Sequence, residues 1–505
     1  MWIFLCLLTL LSLLYYRLSR KERVDLPGPG LCIPLLGHYK LFLQGSDNIK
    51  GIWNLYKQYS KQGVMLLNVF SMNNVIVGDF NVLKELFNNP DVANRGHVDF
   101  RKCNFIQKFN EDRGDPPGPL TGVIFSQGRT WVEQRRFTLK TLRDFGFGKS
   151  SMEETIHDEI RHFIFYLKNY TNTPVDIARK FNLPILNALW KIMVGESFEY
   201  TDPKLEKLLN DLGEFARRFG SPSTVLVLNY PWLFKIFPTL LNRNKDIEFM
   251  REIMLMMNNC IEQHKLTLDV NSPKDVIDTM LIEIQNTKDE TSSFYQNKGY
   301  NNLVNTMLEL FVAGSETTST TLTWAVLYMI REPEIQSRVQ AELDKVVGTS
   351  RLPSLSDRSQ LPYTEAVLME IQRCGNIVPM GVQHMASRSI QINGVTIPAN
   401  TMISPCMSEI MKGDYWGDGL VFRPERFLDE SGKLKSEERL IPFSIGKRRC
   451  LGETLAKTEY FLFFTALLQQ FSFMPEISGT VPPETYVPGA SILPIPFKTI
   501  VKPRY

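Results

Sequence analysis

Cysteine 450 has the setting of a reactive or metal-binding thiol. It lies in the stretch Phe443-Ser444-Ile445-Gly446-Lys447-Arg448-Arg449-Cys450-Leu451-Gly452, between two glycines and beside three cations. The apolar residues that follow, Tyr460, Phe463, Phe464, Leu467, Leu468 and Phe471, recur with a helical period, so a helix begins just past the thiol. Adjacent positive charge and a helix N-terminus both lower a thiol pKa, and the thiolate is the form that binds metal. A lone intracellular cysteine is more often a small buried hydrophobe, so the neighbours carry the argument. Two other constellations have chemical content. Glu370 and Arg373 share a helical face and can pair. Glu316 and Thr317 set an acid beside an alcohol inside the longest helical run, whose flanks, Leu308 to Ala313 and Leu322 to Ile330, are too apolar for a surface helix.

Several classes are excluded by what the chain lacks. Its seven cysteines show no CxxC or other paired spacing, which argues against a disulfide framework and a zinc site. Six histidines include no HExxH pair, so a histidine-bound metal enzyme is not expected. A net charge of +3 with 22% charged residues gives no reason to expect nucleic acid. No GxGxxG stretch follows a strand and no P-loop is present, so neither flavin nor nicotinamide has an evident site and electrons must come from outside.

The elements that must position these residues are mostly helical. Periodicity predicts helices over Val82 to Asn88, Thr130 to Phe145, Met152 to Asn169, Pro203 to Phe219, Asn244 to Leu268, Pro273 to Gln285, Leu303 to Arg331, Pro333 to Val347, Leu361 to Arg373 and Glu453 to Phe471. A strand pair is expected over Val64 to Phe70 and Asn74 to Asp79, turning at Ser71 to Asn73, and a hairpin at Asn393-Gly394. The fold class is mainly α with small β-sheets (α+β), a single large helical domain over 31–505. Ahead of it, the apolar run 1–16 followed by Arg17, Arg20, Lys21 and Arg23 reads as a membrane signal-anchor, and 17–30 as a basic stop and proline-rich hinge. A 16-residue helix spans only about 24 Å, so the basic end must snorkel. Cys103 to Leu120 is a proline- and glycine-rich loop, and Ser221 to Leu241 is apolar enough to plug a cavity or lie on a bilayer.

Phe443-x-x-Gly446-x-Arg448-x-Cys450-x-Gly452 resembles the haem-binding loop of the cytochrome P450 family at every fixed position. Ala313-Gly314-Ser315-Glu316-Thr317-Thr318, Glu370-Ile371-Gln372-Arg373, Pro424-Glu425-Arg426-Phe427 and Trp131-Val132-Glu133-Gln134-Arg135 are similar to four further motifs of that family, in the right order. The closest branch is the animal microsomal one. The resemblance implies the cytochrome P450 fold and a monooxygenase acting on a lipophilic small molecule, with haem b as cofactor and Cys450 as its axial ligand. A single thiolate makes haem iron electron-rich and favours O–O cleavage. The same resemblance gives Arg448, Arg135 and His384 to the haem propionates, with Trp131, on the same helix face as Arg135, a further haem-binding residue and Lys108 and Arg113 as further possibilities. Phe443 shields the sulfur, and Gly446 and Gly452 allow close backbone approach.

Glu316 and Thr317 take the proton relay to dioxygen, and Gly314 opens a groove in their helix. Glu370, Arg373 and Arg426 form a structural triad. NADPH acts indirectly, through NADPH-cytochrome P450 reductase, with cytochrome b5 a further candidate donor; Lys447, Arg449, Arg136 and Lys140 are the docking cations. Substrate contacts are expected from Phe105 to Val123, Phe215 to Phe237, Leu310 to Ala313, Val378 to Val382 and Ser491 to Leu493. The implied location is the endoplasmic reticulum membrane, with the catalytic domain on the cytoplasmic side. A reductase-independent haem-thiolate isomerase or dehydratase, and a non-catalytic haem sensor, are the alternatives; an intact acid-alcohol pair weighs against both.

Overall fold

A computed structural model describes residues 26–33, 37–44, 47–70, 72–96, 122–219 and 243–505. The signal-anchor, the proline-rich loop Cys103 to Leu120 and the Ser221 to Leu241 stretch fall outside these residues. Among the described residues no helix is long and apolar enough to cross a membrane.

The described chain packs as two compact units. The first comprises the described residues before Val98 with Val378–Gly417 and Ser444–Arg449. Its centre is a six-stranded sheet of β1 (Cys32–Ile33), β2 (Gly37–His38), β3 (Val64–Val69), β4 (Met72–Val77), β5 (His384–Met385) and β6 (Met402–Pro405). The spatial order is β1-β2-β3-β4-β6-β5. β3 and β4 are antiparallel with Val69 opposite Met72. The turn is therefore tighter and earlier than the sequence suggested: Met72 and Asn73 belong to the strand, and Phe70 takes the left-handed turn conformation at φ 54°. β4 runs parallel to β6, Asn74 facing Met402, and β6 pairs antiparallel with β5 so that His384 faces Ile403. Val64, Met65, Leu66 and Leu67 are all buried, so β3 is covered on both faces. The hinge docks here too, with the Leu66 amide donating to the Pro27 carbonyl at 2.6 Å. Helices α1 (Asn48–Tyr59) and α2 (Phe80–Asn88) start at Asp47 and Asp79, whose carboxylates accept from the amides of the first turn. The Asn393-Gly394 hairpin forms as expected, both residues at positive φ.

The second unit, Asp99–Ile377 with Asp418–Phe443 and Cys450–Tyr505, is helical. Its described helices are α3 (Gly128–Asp144), α4 (Ser150–Lys168), α5 (Asn182–Val194), α6 (Pro203–Phe219), α7 (Arg243–Thr267), α8 (Val276–Asn286), α9 (Gln296–Arg331), α10 (Pro333–Val346), α11 (Pro362–Gly375) and α12 (Glu453–Gln470). Within a turn or two of each end these match the periodicity, except α5, which no amphipathic stripe announced. Ile185, Leu186, Ala188, Leu189 and Trp190 are buried all round it, so α5 has no polar face to supply a period.

α9 packs on α5 at Gly314. A Cβ there would lie 2.3 Å from Leu189 Cδ2, so glycine serves the close approach of two helices. α9 is helical throughout, although Ser315, Thr317, Ser319, Thr321 and Thr323 all donate back to the carbonyl four residues earlier.

Candidate active site

In the helical unit, Cys450 sits at the head of α12. Its amide donates to the Phe443 carbonyl at 2.9 Å, while its thiol side is exposed. Helix geometry starts at Glu453, so the unsatisfied amides of the first turn face the thiol end of the loop. Arg135 is electrostatically coupled to it. Burial lowers the guanidinium pKa, and the Cys450 charge acts in the opposite direction. Arg135 lies one helical turn beyond buried Trp131 on α3. Phe443 is half-buried, with the Lys457 ammonium 5.5 Å from its ring centre. A Cβ on Gly452 would meet nothing, which leaves room for a flat group to approach the backbone there.

The acid and the alcohol of α9 look in different directions. The Thr317 hydroxyl donates to the Ala313 carbonyl at 2.8 Å, which leaves its oxygen lone pairs to accept from a proton donor on that exposed side. Glu316 accepts a long bond, 3.4 Å, from Asn182 on α5. Burial raises its pKa above the usual carboxylate range, opposed by the charge of Arg217 on α6, the Asn182 bond and Arg179. These four residues line one pocket with Thr320 and Ser491. Two of the expected substrate segments, at Phe215 and at Ser491, thus contribute residues beside Glu316. Nearly all of Phe105 to Val123 lies outside the described residues, as do Lys108 and Arg113.

Glu370 and Arg373 are fully buried and doubly bonded, Nε to Oε2 at 2.7 Å and Nη2 to Oε1 at 2.8 Å. Arg426 Nε joins Oε1 at 3.0 Å, and the Arg423 amide at 2.7 Å. Arg373 Nη1 donates to the Gly419 carbonyl at 2.6 Å, and Arg426 also meets Asp418 at 2.9 Å. The structure therefore brings all three residues together and adds Asp418, with every fork of both guanidiniums engaged.

In the sheet unit, three basic side chains converge. Arg448 is buried and donates Nε to the Ala93 carbonyl at 2.7 Å. His384 stacks on Phe87 at 3.8 Å and donates Nδ1–H to the Val92 carbonyl at 2.9 Å. Arg95, also buried, donates to the carbonyls of Val382 and Gln383 at 2.9 and 3.0 Å. Burial, then Arg95, then Arg448 hold the His384 pKa well below its ordinary value. A pocket of like charge is costly unless an anion comes to it. Gly446 completes this half: at φ +77°, a Cβ would lie 2.1 Å from the Phe87 carbonyl oxygen, so the loop needs glycine to pass α2.

Arg95 is the residue that the sequence did not disclose. It follows Asn94 in an irregular segment, and it gains its place because Ala93 and Asn94 bridge to Met385. Of the expected docking cations, Arg136 and Lys140 are exposed on α3, and Lys447 and Arg449 are exposed in the sheet unit.

In the helical unit the accessible thiol is a soft ligand of the kind that holds haem iron, and in the sheet unit two buried guanidiniums beside His384 make a positive field of the kind that suits carboxylates. A profile of the family described as "Cytochrome P450" matches residues 27–501. Among curated relatives, cytochrome P450 2J5 of Mus musculus is 36% identical, covering 87% of each chain. Cytochrome P450 2B4 of Oryctolagus cuniculus is 40% identical over 73% of this chain and 74% of its own. Cytochrome P450 2J2 of Homo sapiens is 41% identical over 70% of each.

Proposed function

The chain belongs to the cytochrome P450 family, and on that premise we propose that it oxidises a lipophilic small molecule at the endoplasmic reticulum membrane, drawing electrons from NADPH through a separate reductase. It is a haem-thiolate monooxygenase with haem b as its cofactor. Steroids, fatty acids, terpenoids and foreign compounds are the substrate classes in view. The observation that carries the reading is the accessible Cys450 thiol at the head of α12 with Arg135 beside it.

Bound haem b supplies dioxygen activation, its iron held by the Cys450 sulfur. The remaining roles fall to the chain. Arg135, with Trp131 one turn before it, and Arg448, His384 and Arg95 hold the propionates; burial is the main cause of the lowered His384 pKa, and an anion there would offset the added repulsion from Arg95 and Arg448. Phe443 keeps water from the sulfur. Glu316, whose carboxyl pKa burial raises, is the proton reservoir, and Thr317 is the acceptor and donor that passes protons at its Oγ. Glu370, Arg373 and Arg426 lock the region ahead of the cysteine loop. The exposed cations Arg136, Lys140, Lys447 and Arg449 serve an acidic partner surface, the reductase first and cytochrome b5 second. The apolar run 1–16 anchors the chain, with the body in the cytoplasm.

Cys450→Ser tests the core of this reading. The ferrous carbon monoxide spectrum of the thiolate type should vanish while the full chain stays in the membrane fraction; an unchanged spectrum would overturn the ligand assignment. Thr317→Ala tests the relay. Product formed per NADPH should fall about tenfold, with hydrogen peroxide released instead, and an unaltered ratio would remove Thr317 from the mechanism.

A further inference from the structure

Where α7 gives way to α8, three side chains that none of the roles above uses bring ligand atoms together. His264 lies in the last turn of α7, Asp275 caps α8, and Asp278 sits in the first turn of α8. One ring nitrogen of His264 and one oxygen of each carboxylate all lie within 4.8 Å of one another. His264 Nε2 is 2.8 Å from Asp275 Oδ2. Ligands held about 2.1 Å from a zinc ion stand roughly 3.0 to 3.4 Å apart, so this pair needs to open only slightly to admit one.

The other polar atoms of the three side chains are mostly held in place already. His264 Nδ1 faces the Cys260 carbonyl at 2.7 Å, the kind of outer bond that fixes a metal-binding imidazole and turns Nε2 to the ion. Asp275 Oδ1 accepts the Asp278 amide at 3.0 Å, which leaves Oδ2 toward His264. Asp278 Oδ2 accepts the Lys274 amide at 3.0 Å. Its Oδ1 is the atom without an account: Asp278 is 3% exposed, and Oδ1 is sealed from solvent with no hydrogen-bond partner among the described residues. An acceptor buried alone is costly, and for a carboxylate oxygen a cation is the partner that suits best. The His264 side chain keeps 14% of its surface exposed, which gives an ion a way in. The spacing of residues 264, 275 and 278 matches no zinc pattern readable in a sequence; the turn between the helices gathers them.

We infer that His264, Asp275 and Asp278 form a structural site for a divalent metal of the zinc class, which ties the end of α7 to the start of α8. The ion takes the place of the proton between Nε2 and Oδ2, and that proton leaves to solvent. One imidazole and two carboxylates suit zinc or manganese and exclude copper(I), which prefers sulfur. The site is separate from the haem region and does not depend on its chemistry.

The test uses the haem-loaded full chain, stripped with EDTA and dialysed, with zinc chloride as the probe. Equilibrium dialysis at about 10 μM free zinc should find one ion per chain that depends on these residues. Asp278→Asn, which keeps the size of the side chain, and His264→Gln should each weaken that site at least about tenfold. In the wild type, zinc should slow amide exchange across residues 268–278 by about tenfold. No zinc bound at that concentration would overturn the site, as would zinc held equally by either variant, which would place the ion elsewhere. Exchange that zinc leaves unchanged would also overturn it. Should the variants fail to hold haem, the wild-type exchange decides by its own two outcomes.

Discussion

Two clusters of basic side chains, one in each unit, are held differently. In the helical unit Arg373 and Arg426 meet the buried Glu370, Arg426 also meets the half-exposed Asp418, and His264 meets the buried Asp275 at 2.8 Å. In the sheet unit Arg95, Arg448 and His384 donate to main-chain carbonyls, and both guanidiniums add to burial in lowering the pKa of His384. Two histidines report the difference. The Asp275 bond lifts His264 to about 9, while burial and the two arginines hold His384 well below its ordinary value. A buried ion pair ties a fold together; two guanidiniums beside a histidine make a positive field that an anion would relieve. Haem propionates are the anions that the proposed function brings to that field.

Removing one charge from each unit should therefore have different consequences. Glu370→Ala strands two buried guanidiniums and should cost about 3–5 kcal/mol, read as a lowered unfolding midpoint with poor recovery of folded protein. A small shift would mean that the triad is not the lock its burial suggests. Arg448→Ala or Arg95→Ala should leave the fold nearly intact but release haem about tenfold faster to an apomyoglobin trap, since each removes one charge-assisted contact. Equal haem retention would break the comparison by showing that this field serves another purpose.

The smallest effect is a pH dependence. His264 is raised in the folded state, so its pair with Asp275 contributes fully below about 6.5, and the contribution is lost as pH rises through about 9. The thermal midpoint should decline over that window, and His264→Gln should flatten the decline. A variant that keeps the wild-type slope would show that the pair is not its source.

Legibility followed the range of the interactions. Cys450 and Arg448 belong to one ten-residue loop, and Glu370 and Arg373 to one helical turn, so local spacing together with the family resemblance singled them out. Most helices with a polar face were legible by period, though α1 (Asn48–Tyr59) was not read despite its exposed Lys50, Asn54 and Lys57; α5 was not legible because its residues are buried on nearly every side. Arg95 looked like any solvated arginine. Its burial is imposed by Met385, far along the chain, and no local pattern encodes that bridge. Gly314 shows the same limit: the glycine was visible, but its reason, Leu189 on α5, is tertiary.

The parallel pairing of β4 with β6 also sets a timetable. Asn74 and Ser404, which bond across it, are 330 residues apart. At ribosomal speeds of about 5–20 residues per second, β4 emerges roughly 15 to 65 s before its partner exists. Through that interval a strand with four buried residues, Val75, Ile76, Val77 and Asn74, presents an unpaired edge to the cell. The nascent chain thus depends on being shielded during synthesis, and conditions that slow translation between the two strands should raise aggregation of this protein without altering its finished stability.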